Sequence, residues 1–157
     1  MKKMFDKFGE LDSAEEINQA AAGLLAEGDT DNIYVLAKEN GLGEEFAQAY
    51  IEGEIPELTN CLMAAVGKLE VERSKLKIKV FAGITDDLIN YLLSMCTDES
   101  FARAIRRKGK NLQECMDQCE KKITQMAHEH RNGANQVGLS VRNTDVYLME
   151  KAYYMKK

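Results

Sequence analysis

The thiol and imidazole groups of this chain are Cys61, Cys96, Cys115, Cys119, His128 and His130, and they are the natural place to look for chemistry. Cys115, Cys119, His128 and His130 have the composition of a zinc site, but a helix separates them. His128 and His130 point about 200° apart around such a helix, and Cys119 and His130 lie about 16 Å apart along it. One ion cannot reach both ends, so Cys115 and Cys119 read as small buried hydrophobes and no metal or other cofactor is expected. Nucleophilic catalysis needs a nucleophile, a base and an orienting group, whereas both imidazoles sit at the end of one helix beside a loop. Gly41-Leu42-Gly43 lacks the third glycine, the strand and the following lysine of a phosphate-binding turn. The carboxylate pairs Glu15-Glu16, Glu44-Glu45 and Asp86-Asp87 each open a helix, where capping and the helix dipole account for them. The expectation is a binding protein, not an enzyme.

The chemistry that remains is charge. The 157 residues carry 21 Lys plus Arg against 26 Asp plus Glu, a net of −5. Residues 1–60 hold four Lys and fourteen acidic residues, net −10, and residues 61–157 are net +5. An acidic half repels nucleic acid and suits a basic protein groove. Its candidate contacts are Glu15, Glu16, Asp29, Asp31, Glu44 and Glu45, all at helix starts and expected to be exposed. The most concentrated basic feature, Arg103, Arg106, Arg107 and Lys108 with Lys110 beyond, is a second candidate, for phosphate or an acidic partner. No aromatic residues interleave with it to stack bases, so direct nucleic-acid binding is not expected, this loop being the one place for it.

Positioning these groups falls to helices. One Pro, no Trp and abundant Ala, Glu, Lys, Leu and Met predict an all-α protein. Ser13 with Glu16 forms a capping box for a helix whose stripe is Ile17, Ala20, Ala21, Leu24 and Leu25, ended by Gly28. Asp29 or Thr30 caps a second helix that stops at Asn40-Gly41, and Glu44 to Glu52 makes a third. From Pro56, Leu62, Val66, Leu69, Arg73, Leu76 and Val80 trace the seam of one long helix, with a short strand over 75–80 as the competing reading. Asp86–Met95, a short helix capped by Asp98, a strongly amphipathic helix opened by Asn111 and Glu114, and a last helix from Asn143 or Thr144 complete the chain. The predicted organisation is an acidic N-terminal helical bundle over 1–55, a long connecting helix over 56–82 and a helical unit over 83–157. No stretch is apolar enough for a membrane span or a signal segment, so free thiols and a cytoplasmic location are expected.

Asp87-Leu88-Ile89-Asn90-Tyr91-Leu92-Leu93, Thr97-Asp98-Glu99-Ser100-Phe101-Ala102, Lys110-Asn111-Leu112-Gln113-Glu114-Cys115, Asp145-Val146-Tyr147 and Ala152-Tyr153-Tyr154 resemble, in order and spacing, the PcfK-like family of conjugative and phage-derived elements. The opening Met4-Phe5-Asp6-Lys7-Phe8-Gly9-Glu10-Leu11-Asp12-Ser13-Ala14-Glu15-Glu16-Ile17-Asn18 resembles the leader of anti-CRISPR Cas9 inhibitors that carry such a C-terminal half. So do Glu27-Gly28-Asp29, Glu57-Leu58-Thr59 and Leu62-Met63-Ala64-Ala65-Val66-Gly67-Lys68. The loop from Arg131 to Ser140 is longer and more polar than the family pattern. The resemblance implies a stoichiometric inhibitor in a bacterial host that binds Cas9, with or without its guide RNA, at a basic nucleic-acid groove. The competing reading is an accessory protein of a conjugative or phage-derived element with no CRISPR target.

Overall fold

Local capping chemistry starts most of the helices. In the computed structural model, which describes residues 7–77, 85–129 and 143–156 (backbone alone at 127–129 and 143), eight α-helices and no strand are found among the described residues. The Ser13 hydroxyl accepts the Glu16 N–H at 3.3 Å to open α1 (Ala14–Ala26), and the Glu16 carboxylate returns to the Asp12 N–H at 2.7 Å. Asp29 caps α2 (Thr30–Glu39) through the Asn32 N–H, and Asp98 caps α6 (Glu99–Arg106) through the Phe101 N–H. Asn111 does the same for α7 (Leu112–Glu129), accepting the Glu114 N–H at 2.7 Å. The remaining helices are α3 (Glu44–Ile51), α4 (Cys61–Arg73), α5 (Thr85–Met95) and α8 (Asn143–Met155).

Apolar residues fall into two clusters. Ile17, Ala21, Ile33, Leu36, Ala47 and Tyr50 close α1–α3 over one core, with Leu58 and Ala64 completing it. Leu69, Leu88, Leu92, Phe101, Ile105, Met116 and Tyr154 make the second, between α4, α5, α6, α7 and α8. Helix α4 serves both, offering Ala64 to the first cluster and Ala65 and Leu69 to the second, and its broadest contact is with α6.

Helix α4 differs from the long helix expected to begin at Pro56. It starts at Cys61, where the extended Asn60 caps it, and the preceding Thr59 is fixed by the Asn18 side chain, which takes both its N–H and its C=O at 3.0 Å. It ends at Arg73, and residues 74–77, which include Leu76 of the seam and the first half of the competing strand, are neither helix nor strand; residues 78–84, with the rest of that strand and Val80, lie outside the described residues. The buried face is also different. Leu62 and Val66 are exposed, and the face turned inward is Ala64, Ala65, Gly67, Lys68, Leu69 and Glu72. Gly67 is required on that face because the turn between α2 and α3 presses directly on α4 there. Gly41 adopts φ +69° as it leaves α2, and a Cβ on either Gly41 or Gly67 would overlap the other segment's backbone.

Among the described residues no helix is long and apolar enough to cross a membrane.

Candidate functional site

The acidic candidates begin as helix-start residues and most remain at the surface. Glu15, Glu16, Asp31, Glu44 and Glu45 are exposed and Asp29 is half-buried. Three have work inside the fold: Asp29 and Glu16 hold caps, and Glu15 pairs with Arg103 at 2.9 Å. A backbone N–H at the start of α1 and the Arg103 guanidinium hold the Glu15 carboxyl below the usual carboxylate range. The side chains of Asp31, Glu44 and Glu45 make no ion pair or hydrogen bond among the described residues, and those of Glu54 and Glu57, which sequence reasoning did not single out, share that state and are exposed. The signal for them was available: from 39 to 67 the chain has six Glu and no Lys or Arg.

The basic candidates do not form one exposed patch. Arg103 is half-exposed and held by Glu15 and Glu99. Arg106, expected as a surface contact, is only 1% exposed. Its guanidinium donates to the Leu11 C=O at 3.1 Å, the Ala64 C=O at 3.3 Å and the Asn40 side-chain oxygen, which joins α6 to α4, to the α2 C-terminus and to the segment before α1. Burial pulls its pKa down to about 10, so it stays charged at neutral pH. The physical reason for its burial is geometric: it lies one turn from Ala102 on the inward face of α6, where a guanidinium can satisfy three separate carbonyl-type acceptors at once. Lys108 is exposed, its backbone N–H donating to Asp12 at 2.7 Å, and the neighbouring Gly109 N–H donates to Glu10 at 3.2 Å. Arg107 is half-buried. The basic loop is thus gripped by acidic residues of the segment ahead of α1.

Beneath this loop lies a polar junction that the sequence did not reveal. Lys68 is fully buried and its ammonium donates to the C=O groups of Ile105 and Arg107 at 3.0 Å and of Lys110 at 2.5 Å, with Glu10 at 3.2 Å. Glu72, one turn on, accepts the Leu112 N–H at 3.0 Å. A cation therefore meets the carbonyl end of α6 and a carboxylate meets the amide end of α7, each complementing a helix dipole from the same face of α4. Burial lowers the Lys68 pKa, against the pull of Glu72 and Glu10, and raises that of Glu72 to about 7 against the pull of Lys68.

A cleft of about 590 Å³ opens where α1, the α3–α4 linker and α6 meet, lined among others by Glu15, Gln19, Glu57, Cys61, Glu99 and Arg103. Of the four thiols, all free, Cys61 is half-buried in this wall and the rest are buried. Contact with Cys119 and burial push the Cys115 thiol up, and burial pushes Cys96 up to about 12. Among the described residues no group of three or more His, Cys, Asp and Glu side chains is disposed to hold a metal; His130 and the Arg131–Ser140 loop lie outside those residues. No protein family, curated protein or solved structure matches the chain.

Proposed function

We propose that this chain is a non-catalytic, stoichiometric inhibitor that binds a Cas9 effector through the acidic surface of its N-terminal half. The observation that carries the reading is the exposure, with side chains free of internal partners, of Glu44, Glu45, Glu54 and Glu57 in a stretch with no cation between Lys38 and Lys68, joined by Asp31 at the start of α2. Such a surface suits a groove built to hold nucleic acid, and its charges act chiefly by steering association and setting its salt dependence. Glu15 and Glu16, at the start of α1, are engaged with Arg103 and the Asp12 N–H and contribute less to a partner. The burial of Arg106 and the pairing of Arg103 take away most of the basic loop's capacity to grip phosphate, which favours the acidic surface over the loop as the contact.

The test is a Cas9 cleavage assay on target DNA with increasing amounts of the protein. Inhibition saturating near one equivalent, and weakening as salt rises, is the expected result. Unchanged cutting at a tenfold excess over several Cas9 proteins would leave the accessory role in a mobile element as the better reading.

A further inference from the structure

The cleft where α1, the α3–α4 linker and α6 meet has a wall of two kinds. In one part, Glu15 and Glu99 hold Arg103 between them at 2.9 and 3.0 Å, so these charges answer one another. Three groups elsewhere in the wall are unpaired. Tyr50 of α3 is only 7% exposed, yet its hydroxyl keeps contact with solvent and has no hydrogen-bond partner among the described residues. Gln19 of α1 and Glu57 of the linker line the same cleft, are exposed, and their side chains have no partner there either. A phenol buried over nine-tenths of its surface normally bonds its hydroxyl inside the fold, so one left open on a cleft points to a partner from outside.

The chemistry of that partner follows from the wall. Three carboxylates, Glu15, Glu57 and Glu99, against the one guanidinium leave −2, which repels phosphate and other anions. The unpaired groups offer chiefly acceptors: the Glu57 carboxylate, the Gln19 amide oxygen and the Tyr50 oxygen. Ala14, Ala22 and Pro56 add apolar surface on which an alkyl stem can lie. The acceptors come from three elements, α1, α3 and the linker, so a planar fan of N–H groups serves more of them than a compact ammonium does. At about 590 Å³ the cleft has room for a long side chain, and its many exposed wall residues leave one side open, as entry from a larger body requires. We propose that this cleft is a binding site for one arginine side chain of a basic partner protein, with Glu57 as its charged ligand and Tyr50 as its buried hydrogen-bonding group. The site shares Glu57 with the acidic surface but asks only that the partner be basic, so it can fail while the effector reading stands.

The full chain is titrated at constant ionic strength with a blocked Gly-Arg-Gly peptide, its Gly-Lys-Gly counterpart and propylguanidinium, which carries the same group without a peptide. Binding is read by NMR from the Tyr50 ring, and from protection of Cys61, the half-buried thiol of the wall, against iodoacetamide. The expected result is saturable millimolar binding of the arginine peptide, several-fold ahead of the lysine peptide. Tyr50→Phe removes only a hydroxyl that has no partner in the fold, and should weaken the arginine peptide about threefold. Glu57→Gln loses a charge-assisted contact and should weaken it about tenfold. Glu70→Gln, which removes the same charge at an exposed site outside the cleft, should stay within about twofold. Should Tyr50→Phe fail to fold by circular dichroism, Glu57→Gln and the titration of the native chain decide. Absence of saturable shifts at tens of millimolar peptide, or equal losses in Glu57→Gln and Glu70→Gln, would overturn the site. Binding of propylguanidinium with exclusion of the peptide would overturn the protein partner and give the cleft to a free small cation. Cas9 inhibition that persists while the arginine peptide fails to bind would remove this site and leave the effector reading in place.

Discussion

Glu150 is the least comfortable side chain in the structure, and its discomfort has a measurable pH signature. It sits on the inward face of α8 with 0% exposure, and neither carboxylate oxygen has a hydrogen-bond partner among the described residues. Burial raises its pKa to about 9, with Cys119 and Asp87 pushing in the same direction. In the unfolded chain the same group loses its proton near 4.5. Between those values the unfolded state gives up a proton that the folded state retains, so stability is greatest below pH 4.5 and falls as pH rises towards 9. The slope is about 1.4 kcal/mol per pH unit, which makes the loss on the order of 3 kcal/mol at pH 7. Glu150→Gln cannot ionise and removes this term. Urea unfolding of native and variant protein, followed by far-UV circular dichroism at about pH 5.5, 7 and 8.5, should therefore show the variant gaining on the native chain by about 2 kcal/mol at each step. Comparing the two proteins at each pH cancels the parallel contribution of Glu72, whose raised pKa has the same sign. A difference that stays constant across the three conditions would refute the reasoning, since it would mean that Glu150 ionises in the fold as easily as in water.

Three further perturbations probe the junction and the surface. Gly67→Ala drives a methyl into the Asn40 carbonyl, backbone against backbone, and should cost at least 1–3 kcal/mol by urea unfolding, well beyond a helix-propensity gain of about 1 kcal/mol. Lys68→Met strips the ammonium from three carbonyls and Glu10, and should destabilise by about 3–5 kcal/mol in the same measurement, whereas Lys38→Met, at an exposed site, should stay within about 0.5 kcal/mol. Replacing Asp31, Glu44, Glu45, Glu54 and Glu57 together by Asn and Gln should leave stability nearly unchanged. It should also flatten the salt dependence of effector association, each exposed pair being worth about 0.2–1 kcal/mol.

What could be read from the sequence was what is decided within a few residues. The caps at Ser13, Asp29, Asp98 and Asn111 are hydrogen bonds to the third residue onward, and the stripe Leu112, Cys115, Met116, Cys119 follows from helical period alone. The α4 seam held at Leu69 and failed at Leu62 and Val66, because apolar spacing names a face only if nothing else competes for the inside. Here Gly67 permits backbone contact with Gly41, and Lys68 and Glu72 meet helix termini whose backbone atoms lie 37 to 42 residues further on. Arg106 was misplaced for the same reason: its acceptors are 42, 66 and 95 residues away, and a basic run at a helix end looks identical whether it faces water or carbonyls. The acidic surface was legible in outline, since carboxylates seldom lose solvent without a partner, but the division into engaged and free members needed the tertiary contacts.

That division changes what the lopsided charge means. Part of the −10 of the first sixty residues is consumed within the molecule: Glu10 on Lys68, Asp12 on the Lys108 N–H, Glu15 on Arg103, and Glu16 and Asp29 on caps. The caps are local, but the contacts of Glu10, Asp12 and Glu15 run from the segment ahead of α1 and the start of α1 to α4, α6 and the loop after it, so one end of the acidic half acts as a clasp on the basic half. The carboxylates left over lie at the other end, on α2, α3 and the linker to α4, and they are held there by the same α4 that Lys68 and Arg106 fasten to α6. Loosening the junction would thus free acidic groups of the clasp while removing the frame that holds the free surface in place. For that reason Lys68→Met should reduce effector binding even though Lys68 is buried, and the loss should track the unfolded fraction. A junction variant that weakened binding while fully folded would show that the clasp residues themselves touch the partner.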